Sequence, residues 1–407
     1  AKYRQVENEY TITFDAGSGC FEGGSTAITQ TYHYGDVIIP PDDPTKAENE
    51  YFRYEFTGWS PTLNAGDTVT GNRTYTANYR SVPKGSTLPE AGITVTNGEV
   101  TEDISVGSIP GYTYEMVEAL DESLVPTLTI TGDGLTFSGE SNEVCVIIAG
   151  TANSVAFSDL RLSSSYDWSD GTLSVSESGD LLTINVKGDC SFETAADYKS
   201  AVRTERPLKF AGSGSGASLQ IGAVGGPAIY CANALTFDSL SLTISADADA
   251  DVNEEYIMAF FGDLGGGAQS VCSFVYSEVD IVSEGYGIML PGFDVNIQSS
   301  TFNMNCAVSA ASLLGLTVED SNVTIAAGRG LWIAEDTAFS GASQIKLTAD
   351  EGVAIMAASG ITVPDDYDLD GTSIQKLNDI ELGDYYTFAV EAEGVWIPAA
   401  NVEIHSP

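Results

Sequence analysis

Asp366, Asp368 and Asp370 alternate along the run Asp366-Tyr367-Asp368-Leu369-Asp370-Gly371. Alternating carboxylates closed by a glycine can wrap a calcium ion in oxygen ligands. An EF-hand-like loop would place Glu or Asp at position 377, where this chain has Leu377. The three aspartates are therefore the candidate calcium ligands, set against a simpler reading as a solvated acidic turn. Asp247, Asp249 and Asp251 alternate too, but Val252 stands where the tight turn would need glycine.

Paired carboxylates can also serve as acid and base on a sugar, and Glu278 with Asp280, or Asp320, would be such a pair. Any stacked β architecture brings some carboxylates together, so this pattern nominates no catalytic residue. A lyase acting on an anionic polysaccharide would want a cationic groove, yet residues 210–407 offer only Arg329, Lys346 and Lys376 as bases. The two histidines, His33 and His405, lie outside the repeats described below, which argues against Ser-His-Asp chemistry. Tyr286 and Trp396 are candidate stacking platforms for a neutral glycan. Trp332 falls on an apolar track, where core or edge packing is expected. No cofactor is called for beyond the calcium just weighed.

Charge narrows the partners. The chain of 407 residues carries a formal net charge of −42. Such a surface repels nucleic acid, anionic headgroups and polyanionic sugars. No apolar stretch is long enough for a membrane-spanning helix, so no membrane insertion is expected within this chain. The six cysteines form no C-x-x-C pair, and free thiols packed as small apolar groups are expected. Neither a leader before Ala1 nor an anchor at Pro407 is visible, so an exported protein would hold this chain as an internal piece of a longer precursor.

These side chains need a scaffold, and the composition points to β-structure. Gly is abundant (42), and Thr, Ser, Val and Ile recur in short alternating runs. In residues 1–82, Tyr10 to Ala16 alternates and then meets Gly-Ser-Gly. Ile28 to Tyr34, Phe52 to Trp59 and Thr68 to Tyr79 are further candidate strands, with a proline-rich loop at Pro40, Pro41 and Pro44. The blocks YTITFDAGSG, YHYGD, FTGWS and TVTGNRTYTANYR resemble, in order, those of the internalin-type B repeat, also called the Listeria–Bacteroides repeat. That family often ends in Trp where this chain has Tyr79, and Cys20 is a second departure. The resemblance implies a small β-grasp-like domain, with Trp59 in its core, in a surface-exposed spacer or adhesive module without catalysis.

Residues 83–91, with Pro83, Gly85 and Pro89, read as a linker. Beyond them one pattern recurs: a small or polar residue, any residue, apolar, any residue, apolar. Its first apolar positions are 160, 182, 219, 240, 279, 302, 323 and 345. A second track, through Ile288, Ser309, Leu331 and Val353, repeats with the same period of about 22 residues. Two tracks with one short period predict a right-handed parallel β-helix over residues 92–407. The N-terminal cap is expected at about 92–140 and the C-terminal cap at about 361–407. Phe192 to Arg206 carries helix formers and predicts a short surface helix. The texture resembles adhesin-like parallel β-helix surface proteins in architecture only.

The leading functional expectation is a non-catalytic bacterial cell-surface protein, an adhesin or surface scaffold, extracellular, whose partner is a glycan or a host or bacterial surface protein and not nucleic acid. The alternative is a glycan-active β-helix, either a glycoside hydrolase or a carbohydrate-binding module.

Overall fold

A computed structural model describes residues 8–48, 52–84, 91–118, 124–165, 171–176, 179–249, 252–262, 270–335, 337–350, 353–357, 361–362, 368–370, 375–376, 395–398 and 401–405. The chain divides into two compact units, Ala1–Leu88 and Pro89–Pro407.

Among the described residues the first unit holds four strands: β1 (Glu9–Asp15), β2 (Ala27–His33), β3 (Phe52–Ser60) and β4 (Arg73–Pro83). They lie in the order β2-β1-β4-β3. β1 runs antiparallel to β2 and parallel to β4, and β4 runs antiparallel to β3. The alternation in Tyr10 to Ala16 sends Ile12, Phe14 and Ala16 to the buried face. Trp59 packs against that core, its ring 5.1 Å from Phe14 and 5.2 Å from Phe56. Tyr79 uses a hydroxyl that a tryptophan would lack: its Oη donates to the Ala16 carbonyl at 3.0 Å and so ties β4 to the end of β1. A Cβ on Gly19 would collide with that hydroxyl and with the Thr45 carbonyl, which explains a glycine there. His33 is an exposed strand residue beside Asp36.

The second unit is a parallel β-helix-like fold. Each round of chain contributes strands to three faces, here A, B and C, and successive rounds stack in parallel register. On face A the inward side chains Leu162, Phe192, Ile221 and Ile244 pair in sequence, and the column continues through Ile281, Met304, Ile325 and Leu347. Face B carries Leu173, Val202, Ile229, Phe260, Ile288, Ala311, Leu331 and Ile355. Face C runs through Ile184, Phe210, Phe237, Phe274, Ile297, Val318 and Phe339. These residues are buried, and Phe210, Phe237 and Phe274 stack at 5.5 Å between neighbouring rings. A single round cannot cover its inward side chains, and stacking closes the core. All six cysteines are free and five are buried. Burial in apolar surroundings pushes the thiols of Cys231 and Cys306 up to about 12, so these behave as small apolar groups and not as nucleophiles.

Antiparallel strands finish the ladder at both ends. Ile93–Thr96 lies against Thr136–Ser141, and Tyr112–Glu118 against Leu124–Ile130. At the other end Asn401–His405 lies against Gln344–Ala349 and Val395–Pro398 against Val353–Ala357.

Several details differ from the expectations. Leu182 is buried but belongs to face C, paired with Leu208, and not to the ladder of Leu219. Leu240 is displaced by two residues: Leu242, not Leu240, pairs with Val279. On face B it is Ala311 that pairs with Ile288 and Ile355 that pairs with Leu331, so Ser309 and Val353 are likewise two residues off. On face A the rounds are close to 22 residues from Ile221 to Ile244 and again from Ile281 to Leu347. The step from Phe192 to Ile221 is 29, because turn residues are inserted between faces without disturbing the register. No helix forms over Phe192 to Arg206. Its ends are strands, Asp189–Thr194 and Val202–Thr204, separated by a turn in which Tyr198 takes a φ of 61°. Burial of Phe192 and Val202 in two adjacent faces outweighs local helix propensity.

Candidate functional site

Outward side chains on face A alternate with the buried ones, so they form columns with one residue per rung. One column reads Glu140, Arg161, Ser191, Gln220, Thr243. The next reads Ser163, Glu193, Gly222, Ser245. A third includes Val224 and Asp247. The middle column is short at three of its four rungs, while Arg161, Gln220, Val224 and Asp247 rise beside it. The result is a polar trough along the stacking direction. It consists of two adjoining depressions of about 510 and 410 Å3 that share Asn142, Ser163 and Glu193.

Gly222 holds the trough open. A Cβ there would sit 3.0 Å from Ser245 Oγ and 3.7 Å from Glu193 Cγ, so any side chain would project into the space between them. Gln220 Nε2 donates to Glu193 Oε1 at 3.4 Å. Arg161 lies 3.8 Å from Asp189, which also accepts a hydrogen bond from Ser218 Oγ at 2.7 Å. Asp247 lines the same trough. Partial burial, with the Glu284 carboxylate as a second cause, raises its carboxyl above the ordinary aspartate range. Beyond the trough wall the chain turns at Gly225. Tyr198 donates its N–H to the Gly225 carbonyl at 2.8 Å. Its ring meets that of Tyr256 edge-on, centroids 5.1 Å apart, and both rings are about half exposed.

Face B presents a different surface. Its outward column runs Arg203, Tyr230, Phe261, Met289, Ser312 and Trp332, and ends at Met356, which is buried. The Arg203 guanidinium lies 4.3 Å from the centre of the Tyr230 ring, and Tyr230 meets Phe261 at 5.9 Å. Trp332 stands between the buried Leu331 and Ile333, so its side chain belongs to this outer column and is half buried.

The residues nominated from sequence are scattered relative to the trough. Tyr286 is half buried and opens the strand Tyr286–Gln298 on face B, paired with Met258. Trp396 occupies the register position opposite Met356. Asp366 lies outside the described residues. The backbone of Asp368 and Asp370 forms a short strand, Asp368–Asp370, antiparallel to residues 403–405. Among the described residues, no group of three or more His, Cys, Asp or Glu side chains gathers as a metal cluster. Asp280 is held by Asn303, whose Nδ2 donates to Asp280 Oδ1 at 2.9 Å, and Asp320 sits at a corner with a φ of 48°.

Sequence reading passed over Ser163, Glu193, Gly222 and Ser245, and the tyrosine pair. The floor residues fall one position after the second apolar residue, where the five-residue repeat prescribes nothing. Only aligning those positions by rung, and noticing the run of small residues, would have exposed them. Compared with protein-family models, curated proteins and solved structures, the chain finds no match in any of the three.

Proposed function

We propose that this chain is a non-catalytic bacterial cell-surface protein, an adhesin or surface scaffold, acting outside the cell through the faces of a right-handed parallel β-helix. The observation that carries the reading is the constant register of face A. Every rung from Glu140 to Thr243 presents one outward side chain at the same lateral position, which builds a long, regular contact surface. A display module needs length, rigidity and an ordered outer face, and stacked rungs supply all three. The first unit supports the same reading. Its parallel central pair, β1 and β4, flanked by antiparallel partners, suits the β-grasp-like fold that its resemblance to the internalin-type B repeat implies. The partner is a glycan or a surface protein.

A second reading, a glycan-active hydrolase, is favoured by one observation. The Asp247 carboxyl, raised above the ordinary aspartate range by partial burial, shares the trough with Glu193. However, the two stand two rungs and two residues apart, about 12 Å at Cα by sheet geometry. At that spacing the two carboxyls flank one glycosidic bond only where both side chains extend toward each other. Incubating the intact chain with neutral plant, mucin and bacterial glycans, followed by product analysis, separates the readings. Adhesion predicts binding with no new reducing ends. Turnover abolished in Glu193→Gln or Asp247→Asn would make the protein an enzyme.

A further inference from the structure

We propose that the face A trough binds an extended neutral polysaccharide laid along the stacking direction, with the Tyr198–Tyr256 pair as a stacking contact at its side. This rests on the surface-binding reading above and names the ligand class for that face.

Four features carry the inference. The first is shape. Ser163, Gly222 and Ser245 keep three of the four floor positions low, with Glu193 rising between Ser163 and Gly222, and the floor runs across rungs. Rungs repeat at about 4.8 Å, comparable to the advance of one sugar along an extended chain, so successive sugars would lie over successive rungs. The second is chemistry. Hydroxyl and amide side chains both donate and accept, and carboxylates accept from paired sugar hydroxyls. The third is charge. Glu140, Glu193 and Asp247 outnumber Arg161 in the trough lining, within a chain of net charge −42. A uronate or sulfated chain is thereby repelled, while a neutral chain pays no such penalty. The fourth is the tyrosine pair. Two half-exposed rings at the turn after Val224, whose Gly225 carbonyl takes the Tyr198 N–H, offer the apolar surface that the C–H face of a sugar seeks.

The test uses the intact chain and titration calorimetry with cellohexaose, xylohexaose and mannohexaose. Hexagalacturonate serves as the anionic probe and a lysine hexapeptide as the cationic one. Gly222→Leu fills the floor and Tyr198→Ala removes a ring. Ser163→Gln, at a separate rung, provides a second blocked trough should Gly222→Leu fail to fold, and circular dichroism and the thermal midpoint monitor folding. We expect at least one neutral hexasaccharide to bind, with affinity falling at least about tenfold in each folded variant. Binding that is indifferent to these substitutions overturns the site. Binding of only hexagalacturonate or only the lysine peptide overturns the ligand class, as does no binding of any neutral probe. The surface-binding reading fails separately: it falls if the bound sugar is cleaved, which leaves the site assignment standing.

Discussion

Ser300 Oγ accepts a hydrogen bond from the N–H of Ser277 at 3.0 Å, one round away along the stack. The relationship repeats. The Ser300 N–H donates to Ser321 Oγ at 3.1 Å, and the Ser321 N–H to Ser343 Oγ at 3.3 Å. Each of the first three hydroxyls also donates to the carbonyl two residues before it: Val275, Gln298 and Glu319. These serines are the small polar residues that open the sequence repeat. They sit at a corner where Tyr276, Ser299 and Asp320 take φ values of 49°, 49° and 48°. The corner turns the backbone away from regular pairing, and a buried hydroxyl restores the lost partners.

Replacing Ser300 by Ala should therefore cost more than its small size suggests. The Ser277 N–H loses its acceptor in a buried corner, at a cost of about 1–3 kcal/mol. Denaturant unfolding of Ser300→Ala would measure it. A change within error would mean that the corner finds another acceptor and the ladder is incidental.

Phe302 tests the core. It is 1% exposed and its ring lies 5.1 Å from that of Phe274, which links faces A and C. Truncation to Ala should cost about 3–5 kcal/mol, as other buried aromatics do. A loss below about 1 kcal/mol would show that neighbouring rounds collapse into the space.

The same residues mark what could be read from sequence. Val279 with Ile281, Phe302 with Met304, Val323 with Ile325 and Ile345 with Leu347 were legible, because strict alternation at constant spacing reflects one buried face. The displacement at Leu240 was not. Ser239 to Ile244 offers three alternating apolar residues, and spacing alone cannot say which comes first. The corner decides it: Leu240 takes the position that serines fill in later rounds, and its N–H donates to Ser277 Oγ at 3.3 Å. Leu182 was misplaced for a related reason. A linear pattern of apolar residues does not tell which of three faces a strand joins. The trough was hidden because Ser163, Glu193, Gly222 and Ser245 share a column but no residue type.

Arg206 is fully buried, and its guanidinium is surrounded by backbone carbonyls. Nη2 donates to Ala152 O at 2.6 Å and Nη1 to Gly150 O at 3.2 Å, with Asp180 O and Ala149 O at 3.4 Å. It closes a turn whose carbonyls point inward from more than one round. Arg206→Ala should destabilise the second unit by about 3 kcal/mol or more, because it strands acceptors and leaves a void. Arg206→Lys should recover only part of this, since one ammonium cannot reproduce the planar fork. Thermal unfolding of both variants checks the ranking, and equal losses would refute the role of the fork.

Asp247 yields a prediction in pH. Its pKa is raised in the folded state by burial and by Glu284, so folding favours the protonated form. Between the unfolded and folded pKa values the native state binds more protons. Stability should therefore fall as pH rises through that interval and stay lower above it. Asp247→Asn removes the ionisation. The variant should be the more stable protein at neutral pH, with the advantage shrinking as pH drops toward about 4, where an unfolded aspartate also protonates. Thermal midpoints of both proteins across pH 4 to 8 would show converging curves. Parallel curves would place the strain elsewhere.

The first unit should fold without the second. Its core is complete within residues 12–75: Ile12, Phe14, Ala16, Phe21, Ile38, Val69 and Tyr75 form one buried cluster, with Trp59 packed against it. All strands of its sheet pair within the unit, and the Tyr79 hydroxyl closes the turn after the first strand. A domain this small is marginal, since it buries a modest fraction of its surface, and its aromatic cluster carries much of the stabilisation. Residues 1–88 expressed alone should give dispersed amide resonances and one cooperative thermal transition. Phe14→Ala should abolish that transition, because Phe14 contacts both Trp59 and Tyr75, at 5.1 and 5.7 Å. A fragment that is disordered alone, yet ordered within the full chain, would show that the first unit depends on the second for its fold.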